Sequence, residues 1–207
     1  MLISFEGLDG CGKSTQIDLT SKILESSGKM VKVLREPGGN RICEKIREVL
    51  LDRKNSSMSD ETEMLLYIAS RAQLVREDIA SLLDRGFLVI LDRYMDSTTA
   101  YQGYGRGVDL ETISVLNRLA TCGGKYVPDL TFFLDIETER SLSRVTSRGE
   151  EINRMESESI EFFDRIRKGF LEISRKDQER VKVINASGSV EEVFGRISEV
   201  LKQRELL

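Results

Sequence analysis

The chain predicts an α/β fold: a five-stranded parallel sheet with helices on both faces. Two observations carry this. Short apolar runs of strand length alternate with longer runs of helical periodicity. A glycine-rich, phosphate-cradling pattern also stands where the first strand passes into the first helix.

The elements follow in chain order. Residues 1–5 (MLISF) read as the first strand, and a helix begins near Lys13. Residues 32–35 (KVLR) read as the second strand. From Glu61 to Arg85, Leu65, Ile68, Ala72, Val75, Ile79 and Leu82 step by three and four, one apolar helical face. Asp60 with Glu63 would cap its start and Gly86 would stop it. Residues 87–91 (FLVIL), 130–135 (LTFFLD) and 181–185 (VKVIN) supply three more strands. The polar stretch 147–159 predicts an exposed excursion between two helices. Val190, Val193, Ile197 and Val200 mark a last helix, opened by Ser189 and Glu192. With no repeat, linker or low-complexity tract, residues 1–207 are expected to form one domain.

Composition narrows the function classes. A net charge of −4 without a basic run argues against a nucleic-acid partner and for small ligands or protein partners. No apolar run reaches membrane-spanning length, and the N-terminus lacks a signal-peptide pattern. Cys11, Cys43 and Cys122 are odd in number and lack metal-site spacing, which fits a reducing cytoplasm. Histidine is absent, so no imidazole base is available.

The pattern G-x-x-x-x-G-K-S runs from Gly7 to Ser14. Gly7, Gly10 and Gly12 permit close backbone approach to phosphate oxygens, with Leu8, Asp9, Cys11 and Thr15 completing the loop. Lys13 would reach the outer phosphates of a nucleoside triphosphate, and Ser14 would hold Mg²⁺. Asp9 is an anion beside a phosphate cradle, a costly placement without a purpose. Cys11 lies near a helix N-terminus and beside Lys13, which predicts a reactive thiol that ATP would shield; the alternative is a small filler with its sulfur turned inward. A GTP switch would need a base-reading N-K-x-D, and the chain has none. Tyr67 and Arg71 are four apart and share a helix face beside the core stripe. Taken alone they read as a rim tyrosine and a solvated arginine.

The ordered set FEGLDGCGKSTQ, REPGG, LDRY, STTAYQG, PDLTFFLD and RGEEINRME resembles the thymidylate kinase family over nearly the whole chain. The resemblance implies a P-loop nucleoside monophosphate kinase fold with a short lid at about 147–159. It implies phosphoryl transfer from Mg-ATP to dTMP on the way to dTTP, in a cytoplasmic homodimer. Asp9 would accept a hydrogen bond from the acceptor sugar's 3′-hydroxyl. Tyr67 would stack on the pyrimidine and Arg71 would donate to its carbonyl. Arg93 would grip the acceptor phosphate, with Asp92 near Mg²⁺, and Arg47 would be a second clamp. For Arg47 a solvated helix arginine stays open as the alternative. Ser97, Thr98, Tyr101 and Gln102 match positions that touch base and sugar, with Tyr101 excluding a 2′-hydroxyl, and Pro37 would shape the base pocket. No residue of this loop beyond Lys13 is basic, so the resemblance points to the subgroup whose catalytic arginines lie in the lid, here Arg148 and Arg154. Arg144 matches a residue that stacks on adenine, and residues 185–188 (NASG) would border the base. Two other readings remain: another small nucleotide or deoxynucleoside kinase, and a nucleotide-dependent switch protein.

Overall fold

A computed structural model describes residues 1–147, 149 and 153–207. Five parallel strands, β1 (Leu2–Glu6), β2 (Val31–Arg35), β3 (Leu88–Asp92), β4 (Leu130–Asp135) and β5 (Val181–Asn185), lie in the order β2-β3-β1-β4-β5. The expected five strands are present, with ends shifted by about one residue. Phe5 registers with Asp92 on one side and Phe132 on the other, and Arg35 also registers with Asp92. The carboxyl ends of the inner strands therefore stop at one level, where ligands of such sheets bind.

Strand alternation sorts the two faces. Ile3 and Phe5 pack with Phe132, Ile17, Leu24, Val193 and Ile197, under α1 (Lys13–Ser26) and α9 (Val190–Gln203). Leu2, Ser4 and Glu6 take the opposite face, where β1 is polar as well as apolar: Ser4 Oγ and Thr131 Oγ1 lie 2.7 Å apart in the interior. That face is covered by α3 (Asp60–Leu74) and α8 (Ile160–Lys176), whose Phe162, Phe163 and Phe170 are fully buried. Burying each such ring contributes about 1.5–3 kcal/mol. The remaining helices are α2 (Arg41–Leu51), α4 (Ala80–Asp84), α5 (Met95–Thr98), α6 (Leu110–Ala120) and α7 (Thr138–Thr146).

The long helix differs from expectation in three ways. It is interrupted by a π-helical turn at Val75–Ile79 between α3 and α4. Its cap is Ser59, one residue earlier than expected, whose hydroxyl accepts the N–H of Thr62. Glu63 is thereby freed from capping and turns inward. Leu65, expected in the apolar face, is 51 % exposed, whereas Arg71 is fully buried. The capping box of α9 is present, with Ser189 and Glu192 bonded reciprocally, though Val190 stays exposed. In the stretch 147–159, Arg154 and Met155 are buried rather than exposed, because the Arg154 N–H donates to the carbonyl of Leu51 and the chain packs onto the end of α2. No described helix is long and apolar enough to cross a membrane.

Candidate active site

A cavity of about 440 Å³ opens at the carboxyl ends of β1, β2 and β3. It brings together Asp9, Gly10, Gly12, Lys13, Ser14 and Thr15 with Pro37, Arg47, Tyr67 and Arg71, and with Asp92, Arg93, Ser97, Thr98, Tyr101 and Gln102. Residues up to 93 positions apart in the expected set thus share one wall system, from the loop after β1 to the turn after β3.

The donor end is the loop between β1 and α1. Gly12, at the helix N-cap, has φ 100°, a left-handed conformation that suits glycine. At Gly10 a Cβ would lie 2.5 Å from the carbonyl oxygen of Ser141, so the loop can lie against α7 only without a side chain there. Lys13 is buried and folds back over the loop: Nζ donates to the carbonyls of Gly7 (3.1 Å) and Leu8 (3.0 Å). Arg144 Nη1 donates to the carbonyl of Gly10 at 3.1 Å, and Ser141 Oγ donates to that of Asp9. Gly7, Leu8, Cys11 and Arg144 do not line the cavity; they form its support. The expected reactive Cys11 is overturned. Its side chain is 2 % exposed and packs in the core beneath the loop, against Gly7, where a Cβ would come within 2.9 Å of the sulfur.

Of the two residues expected to hold Mg²⁺, Asp92 has its Oδ1 buried without a hydrogen-bond partner among the described residues, and Ser14 lines the same cavity. One carboxylate, one hydroxyl and substrate phosphates are the donor set that Mg²⁺ accepts. No three described His, Cys, Asp or Glu side chains cluster into an all-protein metal site.

The acceptor end is built from buried pairs. Arg71 donates through Nε (2.9 Å) and Nη2 (2.6 Å) to Glu36 Oε2, and through Nη1 to Thr98 Oγ1 (3.0 Å) and Asn117 Oδ1 (2.7 Å). Four of its five N–H donors are used, and the guanidinium lies 5.0 Å from the Tyr94 ring centroid. Burial pushes Glu36 up to about 7, with Arg71 pulling the other way. Arg93 donates to Asp9 Oδ1 (2.8 Å) and Ser97 Oγ (3.1 Å) and lies over Tyr101 at 5.0 Å. Burial works against its charge, but Asp9 and Tyr101 outweigh burial and hold it well above its ordinary value. The hydroxyl of Tyr101 is buried without a partner among the described residues. Burial, then Glu63, pushes Tyr67 up to about 12, so its hydroxyl stays a donor. Arg47 Nη1 donates to the carbonyl of Pro37 at 2.9 Å, which places it in the wall and not in bulk solvent.

The lid arginines divide. Arg148 lies outside the described residues. Arg154 does not line the cavity. Its Nη2 pairs with Glu63 Oε2 at 2.5 Å, and its Nε donates to the carbonyl of Leu50 at 2.8 Å. Glu63 is also held by Gln102 Nε2 (2.9 Å) and by Arg106 (3.2 Å). Burial opposes its charge, but these bonds keep its carboxyl below the usual range. Glu6, Glu36, Glu63 and Asn117 were not anticipated from sequence. For Glu6 a signal existed: a carboxylate ending a central strand must be matched by donors.

The chain can be compared with known proteins on this geometry. The family model for thymidylate kinase matches residues 5–197. A thymidylate kinase from Chlorobaculum tepidum is 45 % identical over 205 residues, covering 95 % of this chain and 94 % of that one. One from Pelodictyon phaeoclathratiforme is 44 % identical over 212 residues, covering 99 % and 96 %. The crystal structure of thymidylate kinase from Ehrlichia chaffeensis superposes with a TM-score of 0.78 at 34 % identity, over 98 % of both chains. The chain therefore belongs to the thymidylate kinase family.

Proposed function

We propose that the enzyme transfers the γ-phosphoryl group of ATP to the 5′-phosphate of dTMP, giving ADP and dTDP for dTTP synthesis. The observation that carries this reading is the single cavity in which the phosphate loop faces Arg93, Arg71 and Tyr101. Arg93 clamps the acceptor phosphate, with Asp9 and Ser97 holding its fork, and Arg47 adds a second positive charge. Tyr67 and Arg71 form the base end, where Arg71 has one N–H left to give. Tyr101 lines the same cavity, and its ring would stand beside the 2′ carbon of the sugar and exclude a 2′-hydroxyl.

The attacking oxygen belongs to a phosphate already anionic near neutral pH, so a chain without histidine needs no base. The work of the chain is alignment and charge neutralisation. Lys13 exchanges its loop carbonyls for phosphate oxygens. Asp92 and Ser14 would hold Mg²⁺, which supplies charge neutralisation across the phosphates when bound. Arg154 can join the transferring group only by leaving Glu63 and Leu50; Arg148 is its companion in the lid reading. We place the enzyme in the cytoplasm, as one kinase domain. It pairs with a second copy through the helix face that exposes Leu65 on α3 and Val115 and Leu119 on α6, the last two 63 % and 64 % exposed.

ADP release measured with each monophosphate in turn tests the assignment. With Mg-ATP, dTMP is phosphorylated far faster than dCMP, dGMP or AMP, with dUMP a poorer second. A panel in which dTMP releases no more ADP than buffer rejects it and returns the choice to another small kinase or a switch.

A further inference from the structure

Arg93 is one of three described residues other than glycine with a positive φ, at 69°. A residue with a Cβ holds that conformation only where its surroundings over-determine it. Here the surroundings are β1. The N–H of Arg93 donates to the carbonyl of Phe5 at 3.0 Å. The next N–H, of Tyr94, donates to Glu6 Oε1 at 2.8 Å. The other oxygen of the same carboxylate accepts the hydroxyl of Ser97 at 2.5 Å. Ser97 in turn accepts from Arg93 Nη1.

The polarity of this chain is fixed by chemistry. A guanidinium cannot accept and a carboxylate cannot donate. With Glu6 ionised, the Ser97 hydroxyl must therefore give its proton to Glu6 and take one from Arg93. Glu6 is wholly buried at the end of the central strand, a costly place for a carboxylate. Both bonds made by its oxygens run to the two groups that set Arg93: one to the peptide after it, one to the hydroxyl that holds its guanidinium.

We propose that Glu6 is a positioning residue for the acceptor phosphate, setting Arg93 through the Ser97 hydroxyl and the Tyr94 N–H without touching substrate. The proposal rests on Arg93 being the acceptor clamp. Burial, then Asp96, pushes Glu6 up to about 7, so the ionised form that orients Ser97 prevails at pH 8.

The test is steady-state kinetics at pH 8 on the parent, Glu6→Gln, Ser97→Ala and the double variant, varying dTMP and ATP separately, with melting temperatures alongside. Glutamine can still accept the Tyr94 N–H, but it offers an N–H to Ser97, which then faces two donors. Each single variant should raise the KM for dTMP about ten-fold and leave that for ATP within about two-fold, and the double should be little worse than the worse single. If Glu6→Gln does not fold, Ser97→Ala alone carries the test, since a parental KM for dTMP there breaks the chain. A parental KM for dTMP in folded Glu6→Gln overturns the proposal, as do losses that multiply to about a hundred-fold in the double. Equal losses for both substrates with a lowered melting temperature make Glu6 a structural residue only. If the parent itself shows no preference for dTMP, the substrate reading has failed instead, which is a different result.

Discussion

Arg71 and Arg93 at the acceptor end and Lys13 at the donor end are held in different ways. At the acceptor end, Arg71 and Arg93 each face a carboxylate, Glu36 and Asp9, and each carries a second hydrogen-bonded brace from Thr98, Asn117 or Ser97. At the donor end, Lys13 and Arg144 are turned to carbonyl oxygens of the loop itself, and Arg154 is held away from the cavity by Glu63 and Leu50. On the proposed reading, the internally braced acceptor end favours discrimination among monophosphates. On the same reading, Lys13 would exchange loop carbonyls for phosphate oxygens, which would tie its charge to the presence of ATP.

The largest effect that can break this comparison lies at Arg154. If it leaves Glu63 for the transferring group, Arg154→Ala lowers kcat by about 10³-fold while ATP and dTMP still bind by calorimetry. A near-parental kcat would make Arg154 a strut between α2 and α3 and nothing more.

The intermediate effect lies at Arg71. Arg71→Ala should cost dTMP use about 1–3 kcal/mol in kcat/KM and leave ATP affinity nearly unchanged. It also leaves Glu36 buried without its partner, so stability by urea titration should fall by about 3–5 kcal/mol. Losing both substrates equally would mean that the acceptor end is not separately built.

The smallest effect is on pH. Glu6 and Glu36 both rise from an ordinary 4.5 to about 7 in the fold, burial being the main cause. Between those values the folded chain binds protons that the unfolded chain does not. Stability is therefore greatest toward the low end of that window and declines as pH rises through 7. The melting temperature should be a few degrees higher at pH 5.5 than at pH 8, and Glu6→Gln should flatten its share of the slope. A melting temperature that rises steadily from pH 5.5 to 8 would show both carboxylates ionised throughout.

Sequence alone went far on the frame and less far on the partners. The strands and the loop were legible because apolar periodicity and glycine spacing are local signals. Arg71 was harder. Its helix position beside the apolar stripe suggests a solvated side chain, yet Glu36 and Asn117, distant in sequence, close around it and make its burial tolerable. Glu63 was misread as a cap for a related reason. Ser59 took the capping role one residue earlier, while Arg106, Gln102 and Arg154 claimed the carboxylate through tertiary contacts that no local pattern encodes. Cys11 failed similarly: the helix terminus and Lys13 were both where expected, but the side chain points into the core.

The preset acceptor end and the exchanging donor end can be separated in one experiment. In the structure the Nε–H of Arg71 donates to Glu36 and that of Arg154 to the carbonyl of Leu50. Arginine Nε–H resonances, assigned by Arg71→Lys and Arg154→Lys, would be followed by NMR as dTMP and a non-hydrolysable Mg-ATP analogue are added. The account predicts that the Arg71 Nε–H stays at its free-enzyme position and slow to exchange with water, while that of Arg154 shifts and exchanges once both ligands are bound. An Arg71 signal that moves with an Arg154 signal that does not would contradict it.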